Sequence, residues 1–329
     1  SDVHLAEEGA IVSTFIFGNL VGALLSSFIA DKFGRRTTMA VACLVFIVGG
    51  VSQVAAINLW MLYVGRAIAG LAIGVMTMIV PLFNAELAPA SLRGRLITFN
   101  QLAMTGGIMV SYWVNYGLQF MDNGWRYALG GQLLFAVILV SAIFFVPQSP
   151  RWLVHIGQND RALASLLRLR RDDAAARKEL QLIRKLKAAQ ERQKVDTWRG
   201  LLCDPVSRRR LIICCTIQGF QQLTGINSVM YYLPSIAASV GFNTNAALGE
   251  TGINGIVNFC STFLAFVFVD KFGRRPLLMY GALIMGLAMA VLGVTGAVFI
   301  PIDLIGRPVV ASPIAGWVCI MSVYIFVFA

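Results

Sequence analysis

Residues 31–36 read DKFGRR, and residues 270–275 read DKFGRR again. Six identical residues in the same order do not recur by accident in a chain of 329. Each copy follows one apolar block and precedes another. The repetition marks a chain built from two related halves.

The apolar blocks decide what the halves are made of. Hydrophobic residues make up 57% of the sequence and charged residues 13%, against roughly 25% charged in a soluble domain. Nine blocks stand out, at about 9–30, 37–57, 60–84, 96–118, 126–146, 211–236, 250–269, 277–300 and 313–329. Each is near the ~20 residues that cross a hydrocarbon core of about 30 Å. Where no water reaches the backbone, such blocks must be helices. The expected class is an all-α, multi-pass protein of the lipid bilayer. Residues 158–200 differ. Leu163, Leu166, Leu167, Leu180, Ile183 and Leu186 recur at helical spacing among many charges. That pattern predicts an amphipathic helix outside the membrane.

The basic residues behind the net charge of +11 sit almost wholly in segments between the apolar blocks. Loops 31–36, 85–95, 147–210 and 270–276 hold 24 of the 27 Lys and Arg residues. The opposite loops hold Arg126 and Arg307. Without the 16 in the long loop, the ratio is still eight to two. The basic loops are therefore cytoplasmic, and a nucleic-acid partner is not indicated. The chain opens SDVHLAEE, polar and acidic, so no signal peptide is expected in it.

Aligning the halves on DKFGRR gives a count. Two spans precede the second copy and one precedes the first. Four spans follow the first copy before the long loop. With six spans per half, the parent has twelve, of which nine are present. The chain then lacks the first helix and the last two. The expected division is a helix bundle at 1–146, a cytoplasmic helical linker at 147–210 and a second, incomplete bundle at 211–329.

Polar residues inside the spans are the candidate functional groups. Gln221, Gln222, Asn227 and Tyr231 lie in one apolar span. Amides offer donors and acceptors together, which suits a hydroxyl-rich neutral ligand. Interhelical hydrogen bonding explains them equally well on sequence alone. On a straight helix the four would spread around the circumference. Gly225 and Pro234 allow a break that gathers them. Gln101 and Asn258 are further amides in spans. Tyr112, Trp113 and Asn115 suit packing or an outer aromatic belt better than a ligand.

Arg66 lies about six residues inside its span, or ~9 Å along a helix. A charge at that depth is expected to be functional and to have a partner. No Asp or Glu of this chain lies equally deep, so an acid on the absent first helix is expected. Gly18, Gly22, Gly70 and Gly74 have the spacing that lets helices approach closely. The cysteines at 43, 203, 214, 215, 260 and 319 show no CxxC spacing, and five of them lie in or at the edge of apolar blocks, where packed free thiols are expected. His4 and His155 lack companions at ligand spacing, so no metal is expected. No nucleophile–base pair or cofactor motif suggests an enzyme.

Several segments resemble the sugar porters of the major facilitator superfamily, fungal monosaccharide transporters among them. DKFGRR at both positions matches that family's loop signature. Gly65-Arg66 with Gly70 and Gly74 resembles its fourth helix. PLFNAELAPASLRGR (81–95), PQSPRWL (147–153) and QGFQQLTGINSVMYY (218–232) follow in the family's order. Gln148 departs from the pattern, standing where the family usually has Glu.

The resemblance implies a major-facilitator fold of two pseudo-symmetric bundles. It implies sugar contacts at Gln101, Gln221, Gln222, Asn227, Tyr231 and Asn258, and proton coupling at Arg66. It also implies a cytoplasmic gate of ion pairs. Asp31, Arg35, Arg36, Glu86, Arg93 and Arg95 would form it in the first half, with Asp270, Arg274 and Arg275 in the second. Gln148 removes one acid from that gate. The expected function is transport of a neutral sugar, a monosaccharide first, by alternating access as uniport or proton symport. The expected location is the plasma membrane. The alternatives are a sugar sensor on the same fold, or a carrier of a polyol or quinate-like compound.

Overall fold

A computed structural model describes residues 2–89, 92–170, 172–193, 202–227, 229–230, 233, 244–299 and 313–329. Among these residues the helices are α1 (Asp2–Phe33), α2 (Arg35–Val54), α3 (Leu59–Leu87), α4 (Arg93–Leu118) and α5 (Gly124–Ile143). Next come α6 (Pro150–His155), α7 (Asn159–Arg170) and α8 (Asp173–Gln193). The last four are α9 (Pro205–Leu223), α10 (Thr244–Phe272), α11 (Arg274–Phe299) and α12 (Pro313–Phe328). The described residues contain no strand.

Among the described residues five helices are long and apolar enough to cross a membrane: Gly9–Phe33, Arg35–Val54, Leu59–Leu87, Gly124–Ile143 and Arg275–Thr295. Gly252–Phe268 and Gly316–Phe328 are shorter apolar helices. Nine spans are expected from the sequence, and α4 and α9 fall short of the hydropathy of a span for a physical reason. Helix α4 carries Asn100, Gln101, Thr105 and Asn115, and α9 carries Arg208, Arg209 and Arg210 in its first two turns, so both are less apolar.

Contacts divide the chain into two units. The first comprises Ser1–Ile97 and Met121–Gly200. Here α1 lies against α3 through small residues. A Cβ at Gly18 or Gly22 would meet the backbone of Ala67 or Leu71, and one at Gly70 or Gly74 would meet Phe15 or Asn19. The GxxxG pairs therefore form one reciprocal seam. On its other side α3 meets α2, where the buried Gln53 amide donates to the Gly65 carbonyl at 3.1 Å. Met39, Cys43, Val75, Ile79, Phe83 and Ile143 fill the core between α2, α3 and α5.

Helices α6 to α8 also belong to this unit. Ser149 caps α6, its hydroxyl accepting the Trp152 N–H at 3.3 Å, with Pro150 at the first helical position. Leu153, Val154, Leu166 and Leu180 form a small core, with Leu163, Leu167 and Ile183 packed on it. The single amphipathic helix expected over 158–200 is two helices. Arg170 closes the junction by gripping Glu179 with two hydrogen bonds, at 2.7 and 3.1 Å, and the Leu87 carbonyl at 3.1 Å. Leu186, expected on the buried face, is 51% exposed.

The second unit comprises Thr98–Phe120 and Leu201–Ala329. Most of α4 thus groups with α10 and not with the first bundle, and 147–200 groups with the first unit and not by itself. The α4–α10 contact explains the former. Gly255 faces Tyr112 and Met109, Gly252 faces the Trp113 indole, and Gly106 faces Phe259. Trp113 continues into an edge-to-face ladder with Tyr116 and Phe120, at 5.8 and 6.0 Å. Tyr112 and Trp113 both pack against glycines of α10, and Trp113 stays 41% exposed.

The repeat is geometric as well as sequential. Gly34 and Gly273 each join two helices, and both are left-handed, at φ +85° and +82°. A side chain is strained there, which fixes glycine in both copies of the hexapeptide. The thiols differ from expectation. Cys43 and Cys319 are buried, while Cys203, Cys214, Cys215 and Cys260 are exposed. An apolar span shows apolar residues to lipid as well as to its core, so an apolar neighbourhood does not imply packing.

Candidate functional site

Helix α9 ends at Leu223. The chain passes through Gly225 at φ +79°, and residues 226, 227, 229, 230 and 233 are helical again. The break anticipated at Gly225 is present. Pro234 and Tyr231 lie outside the described residues. Thr224 donates its hydroxyl to the Gln221 carbonyl at 2.6 Å, closing the end of α9. Beyond the break, Val229 and Leu233 pack with Ala288, Val323 and Phe326 of α11 and α12.

The break brings two of the expected residues together. Asn227 Nδ2 donates to Gln222 Oε1 at 2.7 Å. Both amides are exposed, as is that of Gln221. Each keeps further donor and acceptor capacity. Gln101 is exposed on α4, and its carbonyl accepts the Thr105 hydroxyl at 3.3 Å. Asn258 is half-buried on α10, with its carbonyl bonded by Thr262 at 2.9 Å. In both residues only the backbone is engaged by these bonds. All five described amides belong to the second unit.

Sequence reasoning passed over Asn254, one turn before Asn258. It is fully buried, and its Nδ2 lies 3.1 Å from the Met230 sulfur. An amide at i−4 from a named amide was the available signal.

The charges expected at the cytoplasmic face form a tighter set than topology needs. Arg35 holds Asp31 at 3.1 Å and Glu86 at 3.3 Å, and donates to the Ala30 carbonyl at 3.2 Å. The Ser149 hydroxyl donates to Glu86 as well. The Trp152 indole N–H donates to the Asp31 carbonyl at 2.9 Å, and its ring covers Gly34. PQSPRWL is therefore clamped onto DKFGRR, with Arg35–Glu86 between them. Arg36 makes a different contact, donating to the Phe144 carbonyl at 2.6 Å. Gln148 donates to the Thr37 hydroxyl at 3.4 Å. Arg95 and Arg275 are exposed. The side chains of Arg93, Asp270 and Arg274 lie outside the described residues. A cleft of about 480 Å³ opens beside the cluster, lined by Arg35, Glu86, Arg151, Trp152, His155 and Lys187 among others.

Arg66 on α3 stands over the Phe15 ring of α1, its guanidinium carbon 5.9 Å from the centroid. A ring face attracts a cation, and the contact lies along the glycine seam. Among the described residues no cluster of three metal-ligating side chains occurs.

A family model described as "Sugar (and other) transporter" matches residues 4–329. The chain belongs to this family. It is 38% identical over 301 residues to the glucose transporter GlcP of Staphylococcus epidermidis, covering 89% of this chain and 66% of that protein. It is 37% identical over 331 residues to hexose transporter 2 of Kluyveromyces lactis, covering 98% of this chain and 58% of that one. Among solved structures it resembles the proton:xylose symporter XylE bound to 6-bromo-6-deoxy-D-glucose. That match has a TM-score of 0.84 at 29% identity, over 99% of this chain and 70% of that chain. XylE is an E. coli protein. The chain thus spans 58 to 66% of the length of these two curated relatives. The fold is the expected major-facilitator fold, and the protein is an integral, multi-pass membrane protein.

Proposed function

We propose that the protein carries a neutral sugar, a monosaccharide first, across the plasma membrane by alternating access. The single observation that carries this reading is the Asn227–Gln222 bond across the Gly225 break. A broken span presents uncharged amides that are exposed on their own unit, so the chemistry suits hydroxyls and offers no counter-ion. Gln101, Gln221, Tyr231 and Asn258 complete the assigned set. The two halves marked by DKFGRR would act as the moving bundles, with residues 147–210 linking them.

The relatives support the same substrate class. Two are a glucose and a hexose transporter, and the structural neighbour carries xylose with protons. In the symport case protons are the second partner, and Arg66 is the coupling group. The Arg35–Glu86–Asp31 cluster, clamped by Ser149 and Trp152, is the cytoplasmic gate. The reading requires neither a cofactor nor an enzymatic step.

The test is uptake of a labelled sugar panel by the whole protein in a transport-deficient host, with and without a protonophore. Uptake should be saturable, and Gln222→Ala and Asn227→Ala should each weaken it about tenfold or more, the loss of one to two sugar hydrogen bonds. Unchanged affinity in both variants would refute the site. A sugar-binding chain that moves nothing would be a sensor.

A further inference from the structure

Asn254 is a costly residue where it stands. None of its surface is exposed, and its Oδ1 is buried with no hydrogen-bond partner. Its Nδ2 rests on the Met230 thioether at 3.1 Å, and a thioether is a weak acceptor. An amide can make about four hydrogen bonds, and this one makes a single poor one. Native proteins rarely leave a buried amide oxygen unpaired. Within an apolar helix no water relieves it. A leucine has nearly the same size and shape and would carry no such cost.

Its position suggests what the amide is kept for. Asn254 and Asn258 are four residues apart on α10, so they share a face, about 6 Å apart along the axis. Met230, which covers Asn254, belongs to the half-helix beyond the left-handed Gly225. That half-helix packs on α11 and α12 through Val229 and Leu233, and one glycine joins it to α9. A pivot at Gly225 would lift Met230 and uncover an unsatisfied acceptor and an under-used donor beside Asn258.

We infer that Asn254 is a further sugar-contacting residue, which takes one substrate hydroxyl when Met230 moves off it. The inference rests on the proposed sugar-transport reading and adds a specificity contact to it. A hydroxyl gives Oδ1 its donor and Nδ2 a better acceptor than sulfur. The amide is then strained without ligand and satisfied with it.

The experiment is equilibrium binding of the transported sugar and its monodeoxy analogues to the purified whole protein, alongside thermal unfolding. In the wild type, loss of the partner hydroxyl should weaken binding about tenfold. In Asn254→Leu the parent sugar should bind about tenfold more weakly, and that analogue should bind as well as the parent. The unliganded melting temperature of Asn254→Leu should equal or exceed the wild type's, since an unpaired group has been removed. If Asn254→Leu binds too weakly to profile, Asn254→Ala, which removes the amide without adding bulk, supplies the profile. Deoxy profiles that run parallel in wild type and variant would overturn the inference, and so would a lower melting temperature with an unchanged profile. Gln222→Ala is the separate arm. Normal binding there refutes the broken-helix site while leaving a flattened Asn254 profile standing.

Discussion

Arg35 and Glu86 face each other at 3.3 Å with both side chains largely out of solvent, 13% and 8% exposed. Exposed ion pairs contribute little, whereas breaking a buried pair strands a charge. Glu86→Gln should therefore destabilise the protein by about 2–3 kcal/mol, less than a fully buried pair because Asp31 still holds Arg35. Thermal unfolding in detergent checks the cost. Arg35→Gln combined with Glu86→Gln should cost less than the two singles summed, since they share one interaction. Strict additivity would mean that the pair is not coupled.

The two copies of DKFGRR offer an internal control. Gly34 and Gly273 share a left-handed backbone, so alanine at either carries a strain of about 1–2 kcal/mol. At Gly34 the added Cβ would also approach the Trp152 ring to 2.9 Å, whereas at Gly273 nothing lies within 4 Å. Gly34→Ala should thus lower the melting temperature more than Gly273→Ala. Adding Trp152→Ala should remove the difference between them. Equal effects in the Trp152-intact protein would contradict the clamp.

Much of this arrangement was legible in the sequence because it obeys short-range rules. Blocks of about 20 apolar residues gave the spans, and the repeated hexapeptide gave two turns that each carry a glycine at positive φ. Gly225 announced the break that joins Gln222 to Asn227. What escaped detection depends on partners far along the chain. Ser149 meets Glu86 across 63 positions, and Trp152 meets Asp31 across 121. Nothing local in PQSPRWL states that it will cover DKFGRR. The exposure of Cys214, Cys215 and Cys260 was hidden for a different reason. Lipid and protein core select the same apolar residues, so periodicity does not separate the two faces of a span. Asn254 was hidden likewise, as one amide in a block whose buried side only packing defines.

Asp204 gives a pH-dependent prediction outside the spans. It caps α9, accepting the Ser207 N–H at 2.9 Å. The Ser207 hydroxyl first, and the backbone N–H of Ser207 second, hold its carboxyl below the usual value. A depressed carboxylate stabilises the fold above its unfolded value near ~3.9. That contribution is lost as pH falls through the lower folded value. Asp204→Asn keeps a capping side chain but has no proton to bind. The wild type should therefore melt above Asp204→Asn at pH 7, with the gap closing as pH drops below about 4. The residue is only partly buried, so solvent screens the contact and the gap is small. A gap that widens on acidification would reverse the assignment.

Arg66, the proposed coupling group, allows coupling to be tested apart from carriage. It sits deep in α3 over the Phe15 ring, and none of the assigned sugar amides lies on its helix. If it couples protons, its removal should spare exchange of sugar while abolishing accumulation against a gradient. Arg66→Gln should retain counterflow within roughly threefold of wild type, a change below ~0.7 kcal/mol, yet lose the part of uptake that a protonophore abolishes. Arg66→Lys keeps the charge but not the planar face that stacks on an aromatic ring. It should fall between the two if the ring contact sets the guanidinium's position. Phe15→Leu then provides the decisive comparison. It removes the ring and leaves Arg66 in place, so it should reproduce the Arg66→Lys phenotype in counterflow and accumulation alike. Full accumulation in Arg66→Gln would assign that arginine to helix packing, with energy coupling carried elsewhere in the protein.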